Sequence, residues 1–481
     1  MRRWRLRETP DSIRATTTIC FPDGVKLQID QYEMKHTDIR QIGGDPMSLV
    51  MSKLRVDALK NLGKSSREFQ KVVHDEAKRR LHLIGLDATK YTIYGPTISA
   101  LEKQDQLEKM LWRPVAAGGG GFALVVTDGT LWQITYKNQL RKKSEIKINS
   151  RIRNVYRSED ETIHDKTLDS YINVAIDEKG EVYIWGQNDF LSLSSVPKKL
   201  DSLSRIITVA LGGNHCLAVD IFGGVYSWGC NQKGQCGHPI KKCIKAPLLI
   251  STNTGQCVRV AAAGYEHSLI VTQRGHVFTF GADHTGQLGL GRNHNYDSED
   301  PRAHFKATPQ PVNIKLDRNE VFITDVAAGA AYCIALDAKG RIFGWGNNDS
   351  GQLGEWSRED DEVFFERYPV HIQLKGETTV RVAACGNNTY ALNARGQLFQ
   401  WGVTEVGQDF SPIYIGVQDN PITTGSFFEQ NIIAVTKENE VMHKYRDVDE
   451  NNYPTSTDAP NWRFIEMKCN PKSIIHGDPA L

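Results

Sequence analysis

Three groups of residues have types and spacing suited to chemistry. Cys230, Cys236 and Cys243 fall within fourteen residues of one another. Such a trio offers thiolates for a zinc ion. It is also what three reduced thiols packed as small apolar side chains look like, and the lack of any CxxC pair favours that second reading. Gly118–Gly121 is a glycine run of the kind whose amides cradle a phosphate, or else a tight turn. His215 and His267 stand 52 residues apart, each a candidate acid, base or metal ligand, or a hydrogen-bonded core residue. No P-loop, dinucleotide fingerprint, HExxH or GxSxG element accompanies them. Covalent catalysis is therefore not indicated, and neither a cofactor nor a resident metal is expected.

All three groups sit inside one recurring frame. Val260–Gly291 contains a short hairpin around Arg274-Gly275, then a Gly286-Gln287-Leu288-Gly289 turn. Val209–Gly237 and Val326–Gly354 match it almost position for position, and Val382–Gln408, with Cys385 in a glycine slot, keeps the register. Tyr171–Asp189, Val115–Ile134 and Asn431–Lys444 are weaker copies. The hairpin glycines Gly180, Gly223, Gly275, Gly340 and Gly396 are expected at positive φ, which Asn439 in the same slot also tolerates. The residue closing each hairpin is Ile134, Trp185, Trp228, Phe280, Trp345, Trp401 or Lys444, so there are seven units at steps of 43 to 65 residues.

This frame decides among the chemical readings. His215 and His267 share one slot, filled by Tyr332 and Asn388 elsewhere, so a bond between neighbouring units is expected of them. Gly118–Gly121 fills that same slot and reads as a turn. Cys230, Cys236 and Cys243 fall in a repeat turn where other copies carry Ala282, Leu288 or Asn347, so ordinary reduced thiols are expected.

A period near 50 with several short strands per unit indicates a propeller or solenoid, because one unit cannot bury both faces of its sheet. Pro197, Pro247, Pro311, Pro369 and Pro412 each precede a short apolar run that supplies a further strand, giving four-stranded blades. The frame V-A-x-G-x-x-H…G-x-V-Y/F-x-W-G-x(4)-G-Q-L-G resembles the regulator of chromosome condensation repeat, over roughly Pro114 to Tyr445. That resemblance implies an all-β, seven-bladed β-propeller. It also implies that one terminus often completes a blade made mostly by the other. Trp4-Arg5-Leu6 or Leu111-Trp112 pairing with Trp462–Ile465 are the two ways to do so here.

The rest of the chain precedes or trails the ring: residues 1–110 form a small, partly helical N-terminal domain, 111–470 the propeller and 471–481 a tail. Thr17–Phe21 and Val25–Ile29 alternate around Pro22-Asp23-Gly24, as a hairpin does. Residues 45–86 carry apolar side chains at helical spacing, and Thr97–Leu111 adds a helix. The order Pro46, Leu54, Leu59, Leu62 is similar to an F-box, which implies docking on Skp1; a plain helical domain gives the same pattern. The basic start is followed by Ser, Asp and Thr rather than an apolar stretch, so it is not a secretory signal. No run approaches the 18 apolar residues a membrane helix needs. Nine cysteines without a disulfide pattern indicate a reducing compartment, cytoplasmic or nuclear. Net charge +1 gives no general attraction to nucleic acid, and the chain is expected to be a monomer.

Three surface features remain. Lys137–Arg157 has eight Lys or Arg against Glu145, suiting an acidic partner, phosphates, nuclear import or a solvated outer strand. Acidic runs at 297–300 and 359–362 lie in long connections, and Gly291–Asn313 is expected to be dispensable for folding but needed for a partner. The resemblance implies a non-catalytic, protein-binding ring with nucleotide exchange on a Ran-type small GTPase as its best-known activity. It places the contact on the turns that open each blade. Here these hold Gly119-Gly120, Gly213-Asn214, Tyr265-Glu266, Ala330-Ala331 and Gly386-Asn387, making Asn214, Tyr265, Glu266 and Asn387 the candidate partner-binding residues. Only Glu266 is acidic, and no blade carries the β-wedge of the family's exchange factor, so the chain is at most an exchange factor. The alternatives are an F-box substrate adaptor of a ubiquitin ligase, or a bacterial secreted effector delivered into a host cell.

Overall fold

The computed structural model describes the strands Arg3–Glu8, Ser12–Cys20 and Lys26–Lys35 and most of residues 113–469, leaving out 119–121, 138–139, 160–169, 189, 253–256, 292–303, 317–318, 355–364, 375–377, 405–406, 417–419, 429–430 and 445–461. Seven four-stranded antiparallel sheets make a propeller. In each blade the strands are consecutive in the chain and are lettered a to d from the axis outward. Blade four shows the plan, with Val258–Ala263, His267–Thr272, Val277–Ala282 and Phe305–Val312 as its strands a to d.

Neighbouring blades cover both faces of each sheet, and this decides which residues stand where. Strand b is buried at every position in His215–Asp220, His267–Thr272, Tyr332–Asp337, Asn388–Asn393 and Asn431–Thr436. Strict apolar–polar alternation is accordingly lost there. Strand d pairs on one side only, and Pro247, Pro311, Pro369 and Pro412 all lie in it, where a missing N–H breaks no ladder. The hairpin-closing slot lies in strand c and is buried in every blade, from Trp345 and Trp401 at 0% exposed to Lys444 at 9%.

The b–c turn is fixed twice over. Gly275 has φ +76°, Gly340 +78° and Asn439 +64°, the left-handed conformation the repeat requires. The acceptor side chain three residues earlier then ties the turn to itself. Asp220 Oδ1 accepts the Phe222 and Gly224 N–H groups, both at 2.8 Å, and Asp337 and Asn393 do the same in their own turns. The turn also binds the next blade: the Gly180, Gly223, Gly275 and Gly396 carbonyls accept N–H groups from Ile206, Val258, Ile323 and Ile422. Asp220→Ala should therefore cost about 2 kcal/mol, the scale of charge-assisted hydrogen bonds left without an acceptor, measurable by chemical denaturation against wild type.

Three expectations need correction or completion. The ring closes without strand exchange among the described residues: Arg463–Lys468 pairs with Glu440–Lys444 of its own blade, and Arg3–Glu8 pairs with Ser12–Cys20. Closure instead comes from packing of the first strands of blades seven and one, where Ala117 N–H donates to Ser426 Oγ at 3.0 Å and Asn431 Nδ2 to the Phe122 carbonyl at 3.0 Å. Second, Gly291–Asn313 is not all connection. Phe305–Val312 is strand d of blade four, paired with Val277–Ala282, so deleting 305–312 should unfold that blade and abolish a cooperative melt, whereas any dispensable part is confined to 292–303. Third, the hairpin read at Pro22-Asp23-Gly24 is present, with Cys20 opposite Lys26, and belongs to a three-stranded sheet. The chain divides into two compact units, this sheet in one and the blades in the other. The helices expected at 45–86 and 97–111, with Pro46, Leu54, Leu59 and Leu62, lie outside the described residues, as does Leu111-Trp112.

Candidate functional site at the inner rim

Because strand direction alternates, the a–b turns and the Gly-Gln turns between strands c and d emerge at the same end of the ring. The a–b turns are joined by main chain: Gly213 N–H donates to the Gly264 carbonyl at 3.2 Å, Tyr265 to Ala330 at 3.2 Å and Ala330 to Gly386 at 2.9 Å. Side chains link them to the preceding blade's c–d turn. Asn188 Nδ2 donates to Asn214 Oδ1 at 2.7 Å, and Asn387 Nδ2 to Ser350 Oγ at 3.3 Å. The outcome is a rigid rim held mostly by backbone.

The recurring histidines lie beneath this rim and bond blade to blade. Ser268 Oγ gives its proton to the Gln235 carbonyl at 2.7 Å, so the 2.8 Å contact with His215 Nε2 requires the imidazole to donate. His267 Nε2 meets Cys333 Sγ at 3.2 Å, while that thiol donates to the Gln287 carbonyl at 3.1 Å. Tyr332 completes the series, its hydroxyl donating to the Asn388 carbonyl at 2.5 Å. Both histidines are 0% exposed, and burial holds them neutral, pushing His215 down to about 3 and His267 to about 4. The ring also explains the preceding glycine. A Cβ at Gly264 would lie 2.2 Å from the His267 imidazole; in blade six the slot residue is the smaller Asn388, and Cys385 is accommodated.

The four candidate contact residues all lie on the rim, half-buried. Asn214 and Tyr265-Glu266 are on adjacent blades, and the Tyr265 ring lies against Gly213. Asn387 is two blades further on. Glu266 is not a fully solvated turn residue: burial pushes its carboxyl up, opposed by Lys233 from the neighbouring c–d turn. Its carbonyl accepts the Ala282 N–H at 2.9 Å. Gly119-Gly120 lies outside the described residues, while Gly118 N–H donates to the Phe122 carbonyl at 2.9 Å, a turn-closing bond.

Cys230 and Cys243 face each other across strands c and d of blade three. Cys236 Sγ donates to the Cys230 carbonyl at 3.2 Å and Cys243 Sγ to the Phe190 carbonyl at 2.9 Å. Burial pushes all three thiols up, the opposite of what a metal-binding or nucleophilic thiolate needs. No group of three or more metal-ligating side chains occurs among the described residues. The basic stretch 137–157 splits between two blades. Lys142, Lys143 and Lys147 are exposed on or beside strand d of blade one. Arg157, in strand a of blade two, binds Asn173 Oδ1 at 2.9 Å and stacks on Phe122 and Tyr171. The acidic runs at 297–300 and 359–362 lie outside the described residues.

Known proteins share this architecture. Human Protein RCC2 is 31% identical over 329 residues, covering 61% of this chain and 59% of that protein. The human RCC1-like G exchanging factor-like protein is 31% identical over 223 residues, 44% of each chain. This chain thus spans about half the length of the curated relatives it matches. The crystal structure of Prp20p from Saccharomyces cerevisiae superposes with a TM-score of 0.52 at 19% identity, over 65% of this chain and 79% of that one, and shares the fold. The RCC1-like domain model matches residues 81–413, more than half of the sequence and spanning the first six blades, so the chain belongs to the RCC1-like domain family.

Proposed function

We propose that the propeller is a protein-interaction platform whose inner rim binds a small GTPase of the Ran type and modulates its nucleotide exchange. The observation that carries this reading is Glu266, a half-buried carboxylate on a rim held by main-chain hydrogen bonds, beside Tyr265 and opposite Lys233. Exchange requires no covalent step. It requires a pre-placed acid that competes for the Mg²⁺ or lysine holding the nucleotide, on a surface that does not have to reorganise. A carboxylate already partly desolvated loses less hydration when a partner covers it. Relatives agree in kind: one is named a G exchanging factor-like protein, and Prp20p was studied for its binding to Gsp1p and histones.

The test is stimulated release of labelled GDP from Ran. Glu266→Ala should slow that release while changing stability by about 1 kcal/mol or less, as for substitutions outside the core. If the wild-type chain neither binds Ran nor accelerates release, the GTPase assignment fails. Equal release rates for wild type and Glu266→Ala would remove the carboxylate from the mechanism.

A further inference from the structure

The outer edge of blade three is built differently from those of its neighbours. Its strand d, Lys241–Leu249, is the last of its sheet and pairs only with strand c, Val225–Asn231. An open strand edge is a template for pairing with another chain, and proteins blunt it with short strands, charges or prolines. Blade two has a strand d of two residues, Lys198–Lys199, and Lys199, which faces Tyr183, is neutralised by Glu181 at 2.8 Å. Blade four carries two prolines in strand d, Pro309 and Pro311, and exposes no large apolar side chain there. In blade three the strand runs for nine residues with Pro247 as its one proline, and Leu249 stands in the place facing Tyr226.

The side chains on this edge select its partner. Leu248 and Leu249 are 50% and 55% exposed, and Ile240, just before the strand, is 46% exposed. Lys241, Lys242 and Lys245 are exposed, the strand contains no acid, and none of the three lysines enters an ion pair among the described residues. Successive side chains of a strand point to opposite faces, so Leu248 and Leu249 carry both faces of the sheet beyond its last strand. A membrane surface covers one side of what it touches. An added strand meets both, because its alternate side chains pack on either face while its main chain continues the ladder. Lysines without a counter-charge favour acidic side chains on that strand. The template is also ordered in advance: the Cys243 thiol ties it to the Phe190 carbonyl of blade two at 2.9 Å, which lowers the cost of binding.

We propose that strand d of blade three is a docking edge for an extended acidic segment of a partner protein, which joins the blade as a further strand. This surface is separate from the inner rim and does not depend on the GTPase reading. The probe is a short fluorescent peptide of alternating Glu and Val, titrated with the full chain and followed by anisotropy. Saturable binding that weakens as salt is raised is expected, with none for a matching peptide of Lys and Val. The Glu-Val peptide N-methylated at alternate residues keeps its charge but loses donors to the ladder, and should bind at least about tenfold more weakly. Lys242→Glu with Lys245→Glu should weaken binding by about tenfold, as two attractive cross-strand pairs become repulsive. Leu249→Ser should cost about fivefold, the scale of the half of a leucine side chain left to bury. These side chains are exposed, and the N-methylated peptide decides the matter without altering the protein. Lys143→Glu, on the outer strand of blade one, should bind as wild type. Absence of saturable binding, equal affinity for the N-methylated peptide, or unchanged affinity in the double lysine variant would overturn the docking edge. So would binding to phosphatidylserine vesicles, lost in that variant, without binding of the peptide, which would assign the patch to a membrane.

Discussion

Gly340→Val should destabilise the propeller by about 3 kcal/mol or more, combining a left-handed backbone that a β-branched residue resists with a contact that cannot relax freely. The residue has φ +78°. A Cβ there would stand 2.2 Å from Thr378 Cγ2 and 2.8 Å from the Thr379 carbonyl oxygen, both at the start of blade six. Gly275→Val should behave alike, its Cβ meeting the Phe322 ring at 2.8 Å and Ile323 N at 2.9 Å. The loss is between blades as well as within one, because the Gly275 carbonyl accepts the Ile323 N–H. Asparagine separates the two causes. Asn439 already holds φ +64° in blade seven, so Gly275→Asn relieves the conformational cost but retains the clash. It should fall between wild type and valine in thermal or urea unfolding. Wild-type midpoints for both valine variants would show that the turn has been wrongly placed.

How far the fold could be read from sequence follows from where each constraint originates. The turn glycines, the buried slot from Ile134 to Lys444 and the strand-d prolines answer to backbone geometry that repeats within each unit, so their signal survives in weak copies. The acceptor three residues before each turn glycine, Asp177, Asp220, Thr272, Asp337 and Asn393, was equally periodic. It escapes a reading based on apolar period because its side chain points back at its own turn. Contacts between units were harder. Arg153 reads in the sequence as part of the basic run 137–157, and the role of Arg153, Arg259 and Arg381 emerges only when the next blade's first strand is in place to accept their N–H groups. Strand d of blade four was signalled by Pro311, but its start at Phe305 was hidden within the long connection after Gly291. The rim position of Glu266 was legible from the repeat frame, whereas its partial burial, which raises its carboxyl against the pull of Lys233 from the neighbouring blade, was not.

Lowering the pH from 7 to 5 should cost the propeller about 4 kcal/mol through His215 and His267 alone. An unfolded histidine titrates near 6.5, while burial keeps these two neutral in the fold down to about 3 and about 4. Between about 4 and 6.5 the unfolded chain therefore binds protons that the native ring refuses. Stability is fully present above 6.5 and falls as pH drops, by about 1.4 kcal/mol per pH unit for each imidazole. His443, buried in blade seven and pushed down to about 3, acts in the same sense. Glu266 and Asp325 act in the opposite sense, since burial raises their carboxyls and the native state takes up their protons more readily. That offset grows only as their raised range is approached, so the imidazoles dominate the upper part of the window. The reason they cannot accommodate a proton lies in the blade contacts: His215 Nε2 already donates to Ser268, and Nδ1 is buried with no acceptor in reach. Urea midpoints measured at half-unit steps from pH 7.5 to 5 would show the slope. His215→Gln, though less stable at pH 7, should lose stability less steeply on acidification, by about 1.4 kcal/mol per unit. A flat profile in the wild type, or one with the same slope in His215→Gln, would show that this imidazole reaches solvent and that the blade seam opens more readily than its hydrogen bonds imply.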